Sequence, residues 1–203
     1  MNDVQLDGTR VIPIVTIRDA AVAEDLGRAL AAGGLRTVEV TLRTPAALAA
    51  IRILAERTDL IVGAGTVLTA AQVAEVVDAG ARYVLSPGFS PAVVLRCLEL
   101  GVPVVPGIAT ATELQNALEH GVGTVKFFPA EQLGGPAAIR ALAGPFPEVR
   151  FIPTGGVSPA TMPAYLAEPS VFAVGTSFPA APDLLAAGDW AEVARRAAAV
   201  AAL

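Results

Sequence analysis

Lys126 is the only lysine in this chain of 203 residues; the rest of its fourteen Lys and Arg residues are arginines. It stands in the middle of TVKFF at 124–128, an apolar run where a lysine is rarely buried without a partner. Arginine can take most surface roles of lysine but cannot become a neutral amine. A nucleophilic amine must be deprotonated, and desolvation and neighbouring cations lower a lysine's pKa towards the working pH. Lys126 is therefore a candidate nucleophile, with a structural lysine as the plainer alternative.

A second group lies in EVTLR at 39–43. Side chains alternate along a strand, so Glu39, Thr41 and Arg43 share one face and Val38, Val40 and Leu42 the other. Burying a carboxylate and a guanidinium costs several kcal/mol unless they are paired. Two readings stand: a working carboxylate beside a cation, or a structural Glu39–Arg43 ion pair. Glycine-rich joints supply a third kind of chemistry, PTGGVSP at 153–159 and VGTSF at 174–178, whose backbone N–H groups could face an anion. GAGT at 63–66 offers another close backbone approach and the Thr66 hydroxyl.

The elements that must position these groups follow a single rhythm. Strand-like runs fall at 11–16, 36–42, 59–64, 82–86, 102–105, 124–128, 150–154 and 171–175. Between them lie alanine-rich helical stretches at 19–32, 44–57, 69–79, 90–100, 110–120, 135–143 and 159–167, with a last helix over 189–202. Strands that alternate with helices pair in parallel through right-handed crossovers. Eight such units suit a closed (β/α)8 TIM barrel, an α/β fold that can be as small as ~200 residues. An open doubly wound sheet is the alternative, but its glycine-rich fingerprint after the first strand is absent: the turn reads TIRDA. The expectation is one barrel over residues 1–203. In it the two glycine joints follow strands seven and eight, where barrels often hold a phosphate.

Composition narrows the function classes. The chain is 54% apolar and 16% charged, which excludes a disordered polymer. A net charge of −5 argues against a nucleic-acid partner, which needs a basic stripe. The longest charge-free run, 151–167, is broken by three prolines and a Gly-Gly pair, so no membrane span is expected. The start of the chain lacks the pattern of a secretory signal, and a cytoplasmic location is the expectation. One cysteine, Cys97, and one histidine, His120, cannot build an ordinary zinc site, so no metal is expected. Cys97 reads as packing, His120 as a helix-end residue, Glu131 as a solvated loop carboxylate, and Arg195-Arg196 as a solvated face.

Taken together, EVTLRT at 39–44, GAGTV at 63–67, SPG at 86–88, PGI at 106–108, KFFPAE at 126–131, GPF at 144–146 and PTGG at 153–156 resemble the 2-keto-3-deoxy-6-phosphogluconate (KDPG) and 4-hydroxy-2-oxoglutarate (KHG) aldolase family. The resemblance runs over nearly the whole chain. It implies a class I aldolase, a homotrimer of (β/α)8 barrels that forms a Schiff base with a keto acid and uses no cofactor. It implies Lys126 as the imine-forming residue and Glu39 as the general acid and base. Arg43 and Thr66 would hold the pyruvyl carboxylate, Pro87 and Phe128 would line the pocket, and Thr154 would contact the substrate further out. Gly155, Gly156, Gly175 and Ser177 would bind the phosphate. The chain departs from the family's usual Gly-Gly-Ser-Trp with Gly-Thr-Ser-Phe at 175–178, and reads EQLGG at 131–135 where EANGG is commoner.

The implied substrate is a phosphorylated 2-keto-3-deoxy sugar acid, cleaved to pyruvate and glyceraldehyde 3-phosphate, with KHG as a further substrate. Preference for the C4 epimer or for an unphosphorylated acid is the alternative; Thr154, where epimer-preferring members carry an apolar residue, leans to KDPG. Outside the family, the competing readings are a phosphate-binding barrel with isomerase or metal-dependent chemistry, and a catalytically silent scaffold.

Overall fold

The computed structural model describes residues 4–6 and 8–203. Its strands are β1 (Val11–Val15), β2 (Thr37–Thr41), β3 (Ile61–Gly65), β4 (Tyr83–Leu85), β5 (Val104–Val105), β6 (Gly107–Ile108), β7 (Thr124–Phe127), β8 (Arg150–Pro153) and β9 (Val174–Thr176). All pairings are parallel, in the order β5-β4-β3-β2-β1-β9 and β6-β7-β8. β5 and β6 form one stave interrupted at Pro106, which cannot donate to a ladder; its carbonyl accepts from the Lys126 N–H at 2.9 Å. Single bridges, Phe151–Val171 and Thr154–Gly175, join β8 to the β9 stave. Eight staves thus close into the expected barrel.

The helices are α1 (Ala23–Ala32), α2 (Ala47–Arg57), α3 (Ala70–Asp78), α4 (Pro91–Leu100), α5 (Ala111–Glu119), α6 (Gly135–Ala143), α7 (Met162–Leu166), α8 (Pro182–Ala187) and α9 (Trp190–Ala201). Their starts are written locally. Thr69 with Gln72 and Thr110 with Glu113 make reciprocal capping boxes, while Ser90 caps α4 with Pro91 in its first turn. α8 falls where the sequence reading placed no element. Pro182 is tolerated there because it lies in the first turn, which has N–H groups to spare.

Two packed layers use the two faces of each strand. Val38, Val40, Val125 and Phe127 are buried between sheet and helices. Each such side chain contributes roughly 1.5–3 kcal/mol by leaving water. The opposite faces converge inside the barrel, where Ile12, Tyr83, Leu85, Val105 and Ile152 form a separate apolar cluster. Polar residues aimed inward are therefore exceptions that need a reason. Among the described residues no helix is long and apolar enough to cross a membrane.

Both tyrosines of the chain are fully buried. Burial pushes the Tyr83 phenol well above its ordinary range; the hydrogen bond with Thr37 at 2.7 Å opposes this and the Glu39 charge adds to it. Burial also raises Tyr165, helped by Glu131. An unfolded tyrosine ionises near ~10. The folded groups resist ionisation, so their contribution to stability is complete below that pH and is lost as pH rises above it. In an alkaline titration, phenolate absorbance should stay flat until circular dichroism reports unfolding, then rise for both tyrosines together. A phenolate signal from a folded protein would contradict the buried placements.

Candidate active site

Strand alternation carries Glu39 and Thr41 of β2, and Lys126 of β7, into the barrel. β2 and β7 are four staves apart in either direction round the closed barrel, so their side chains meet across its axis. Lys126 Nζ donates to Glu39 Oε1 at 3.0 Å, with the two side chains 7% and 1% exposed. Glu39 rests against β3 only because position 65 is glycine: a Cβ there would stand 2.0 Å from Glu39 Oε1. The Phe128 ring flanks the amine, 5.6 Å from Nζ to its centroid, and the Phe128–Pro129 peptide is cis.

A buried pair of this kind is weak evidence for stability, since desolvation offsets most of its attraction and apolar replacements are often as stable. Below it on the same two faces stand only uncharged polar groups, Thr124 and Thr37, the latter hydrogen-bonded to Tyr83, among apolar side chains. A functional reading explains a charged pair there better than a structural one. The ion pair weighed from the sequence, Glu39 with Arg43, does not form. Arg43 lies beyond the end of β2, is exposed, and has no ion-pair partner among the described residues.

Arg43 instead borders a cleft of ≈ 460 Å³ at the C-terminal ends of the strands, with Thr154, Gly155, Gly156, Gly175 and Ser177. Six of the residues read from the sequence thus share one wall system. Thr41, one pleat above Glu39, also lines it and bonds Thr16 Oγ1 at 2.8 Å. Thr66 and Pro87 stand half-buried at the ends of β3 and β4, at the same end of the barrel but outside the walls of this cleft. Thr66 holds φ 58°, a left-handed conformation that costs a β-branched residue about 1–3 kcal/mol and tends to persist at working sites. A larger groove, ≈ 1050 Å³, lies at the opposite end, beside Leu60, Arg82 and Pro103. Its acidic and basic walls include the exposed pair Arg52–Asp78, ordinary surface chemistry.

Three further residues belong here: Thr16, which the sequence reading missed, Thr41, which it placed on the inward face of β2 without a role, and Thr176, which it noted only as part of the departure at 175–178. Thr16 and Thr41 border the cleft with their hydroxyls bonded to each other, and Thr41 Oγ1 donates to the Val15 carbonyl at 3.1 Å; alternation along TVEVT signalled Thr41, and nothing signalled Thr16. Thr176 lines the cleft, yet its hydroxyl bonds the Val157 carbonyl at 2.8 Å. Two other readings change. Glu131 is not solvated: its side chain lies under Gly156, and Oε1 is buried without a hydrogen-bond partner. The Glu131 N–H bonds the Gly155 carbonyl at 3.1 Å, which folds the segment back against the loop. Arg196 is not on a solvated face either, since it is held by Glu192 and stacks 5.1 Å from the Phe178 ring. Arg195 and Arg196 hold the Glu192 carboxyl down at about 2.

Cys97 packs inside α4, where burial pushes its thiol up to about 12. His120 ends α5, with Nδ1 2.8 Å from the Asn116 carbonyl oxygen. Among the described residues no group of three or more His, Cys, Asp or Glu side chains could hold a metal ion.

A model of the KDPG and KHG aldolase family matches residues 3–196. The 2-dehydro-3-deoxy-phosphogluconate aldolase of Treponema pallidum is 50% identical over 93% of this chain and 90% of its own length. The crystal structure of KDPG aldolase from Legionella pneumophila, with pyruvate captured as a covalent carbinolamine, is 37% identical with a TM-score of 0.94, covering 97% of this chain and 96% of that one. The KDPG aldolase of Zymomonas mobilis ZM4, solved with 3-phosphoglycerate, is 39% identical with a TM-score of 0.90 over 96% of this chain and 91% of its own.

Proposed function

Because the chain belongs to the KDPG and KHG aldolase family, a family of lyases, we propose that it cleaves 2-dehydro-3-deoxy-6-phosphogluconate to pyruvate and D-glyceraldehyde 3-phosphate through an imine on Lys126. It acts on KHG as well, as a homotrimer and without a metal or other cofactor. The observation that carries the reading is the buried Lys126–Glu39 pair, joined across the barrel axis at 3.0 Å under a mouth bordered by glycine loops.

The geometry suits each step. Neutral Lys126 Nζ attacks the substrate's ketone carbon, and water leaves to give a protonated imine that can accept an electron pair. Glu39 lies within hydrogen-bond reach of that nitrogen, so one carboxylate can serve proton transfers at the carbinolamine and at the neighbouring C4 hydroxyl. Removal of the hydroxyl proton breaks the C3–C4 bond. Glyceraldehyde 3-phosphate departs, leaving a pyruvate enamine; protonation at C3 and hydrolysis return pyruvate and the free amine. Arg43 is the cation at the mouth, where its fork can take a carboxylate in bidentate fashion. Thr66 is its partner in that role, Pro87 and Phe128 line the reacting end, and Thr154 contacts the distal carbons. The positive-φ pair Gly155-Gly156, with Gly175 and Ser177, takes the phosphate.

The purified protein should release pyruvate from KDPG, measured by a coupled assay, at the same rate in excess chelator. Loss of activity in chelator would turn the reading to metal-dependent chemistry. No pyruvate at all would leave the silent scaffold.

A further inference from the structure

We propose that Thr176 is a positioning residue that locks the two glycine loops into one preformed anion cradle, and so sets the preference for phosphorylated over unphosphorylated substrate; this rests on the aldolase reading above. Along β9, Val174 packs in the helix layer and Gly175 faces Thr154 and Ile14; a Cβ at Gly175 would stand 2.4 Å from Thr154 Oγ1. Alternation turns the Thr176 side chain back towards the neighbouring loop. There its hydroxyl donates to the Val157 carbonyl at 2.8 Å and accepts from the Phe178 N–H at 3.2 Å. The residue is 3% exposed.

One oxygen thus spans both loops. Gly155 and Gly156, at φ 97° and 81°, have the largest conformational freedom to lose, and their N–H groups bind an anion well only if both ends of the pair are fixed. The first end is fixed by Thr154, whose N–H donates to the Phe127 carbonyl at 2.9 Å and which bridges Gly175. The second end is Val157, and Thr176 holds its carbonyl. The same hydroxyl fixes the N–H of Phe178 on the far side of Ser177, whose exposed position borders the cleft. Arg196 holds the Phe178 ring from behind. Ordering done in advance is not charged against binding, and only a ligand with an anionic group at this end benefits.

The test compares Thr176→Val and Thr176→Ser with the unaltered protein, using steady-state kinetics on KDPG and on KHG, inhibition by inorganic phosphate, and borohydride trapping of pyruvate. Thr176→Val should raise the KM for KDPG about tenfold relative to that for KHG, the order expected when one buried hydrogen-bonding group is removed. Inhibition by inorganic phosphate should weaken in parallel, with pyruvate still trapped. Thr176→Ser should restore most of the preference. If Thr176→Val does not fold by circular dichroism, Thr176→Ala against Thr176→Ser differ by one oxygen and read the same quantity. Equal losses on both substrates, or an unmoved KM for KDPG, would overturn the positioning role. Failure of the unaltered protein to trap pyruvate would instead bring down the aldolase reading, and this proposal with it.

Discussion

Lys126→Arg should reduce cleavage by ~10⁴ or more, the order seen when a nucleophile that acts as part of a unit is removed. Arginine keeps a positive charge beside Glu39 but cannot form an imine. Treating the unaltered protein with pyruvate and borohydride should inactivate it and add one reduced pyruvyl group per chain. The composition makes this unusually clean, because Lys126 and the N-terminal α-amine are the only primary amines. The α-amine has an ordinary pKa of about 8 and would be the easier target in the absence of a site. Labelling at Lys126 is therefore a property of its barrel position, 3.0 Å from Glu39. Lys126→Met, close in length and uncharged, guards against the bulk of arginine disturbing a residue that is only 6% exposed. A label on Met1, or cleavage surviving in both variants, would falsify the imine mechanism.

That lysine was legible because alternation in an apolar strand is a strong signal: TVKFF has one polar face, and its centre is the sole lysine. The same logic placed Glu39 and Thr41 inside. What alternation cannot say is which stave faces which. Arg43 is four residues from Glu39 and invited a local pair; the true partner is 87 residues away, on the strand opposite. Closure of the barrel decides that contact, and closure is a property of the whole chain. The break at Pro106 was hidden for a related reason, since a proline is read as a strand end unless the next strand is known to pair across it. Thr176 and Arg196 were illegible because their partners, Val157 and Phe178, come from loops whose approach depends on packing between β8, β9 and α9. The glycine joints themselves were plain, as a chain that must turn tightly beside a ligand has few other residues to use.

Glu39→Gln is expected to keep the fold and lower turnover by about 10²–10⁴, the usual range for losing a general acid or base. Glutamine occupies the same volume, so the tight fit over Gly65, where even a Cβ would come within 2.0 Å of the side-chain oxygen, is preserved. Its amide oxygen can still accept from Lys126, but it can no longer take up a proton. The amine itself remains, so pyruvate and borohydride should still label Lys126, more slowly, while C3–C4 cleavage falls much further. This separation is the point of the experiment. A carboxylate that merely held the lysine in place would give losses in labelling and cleavage of similar size, and Gln, which keeps the hydrogen bond, would recover both. A carboxylate that moves the C4 hydroxyl proton gives a loss in cleavage far deeper than its loss in labelling. Circular dichroism and trapping kinetics on the same sample decide between them: near-normal turnover in Glu39→Gln would return the pair to a structural role, whereas trapped but uncleaving protein would fix Glu39 as the proton carrier.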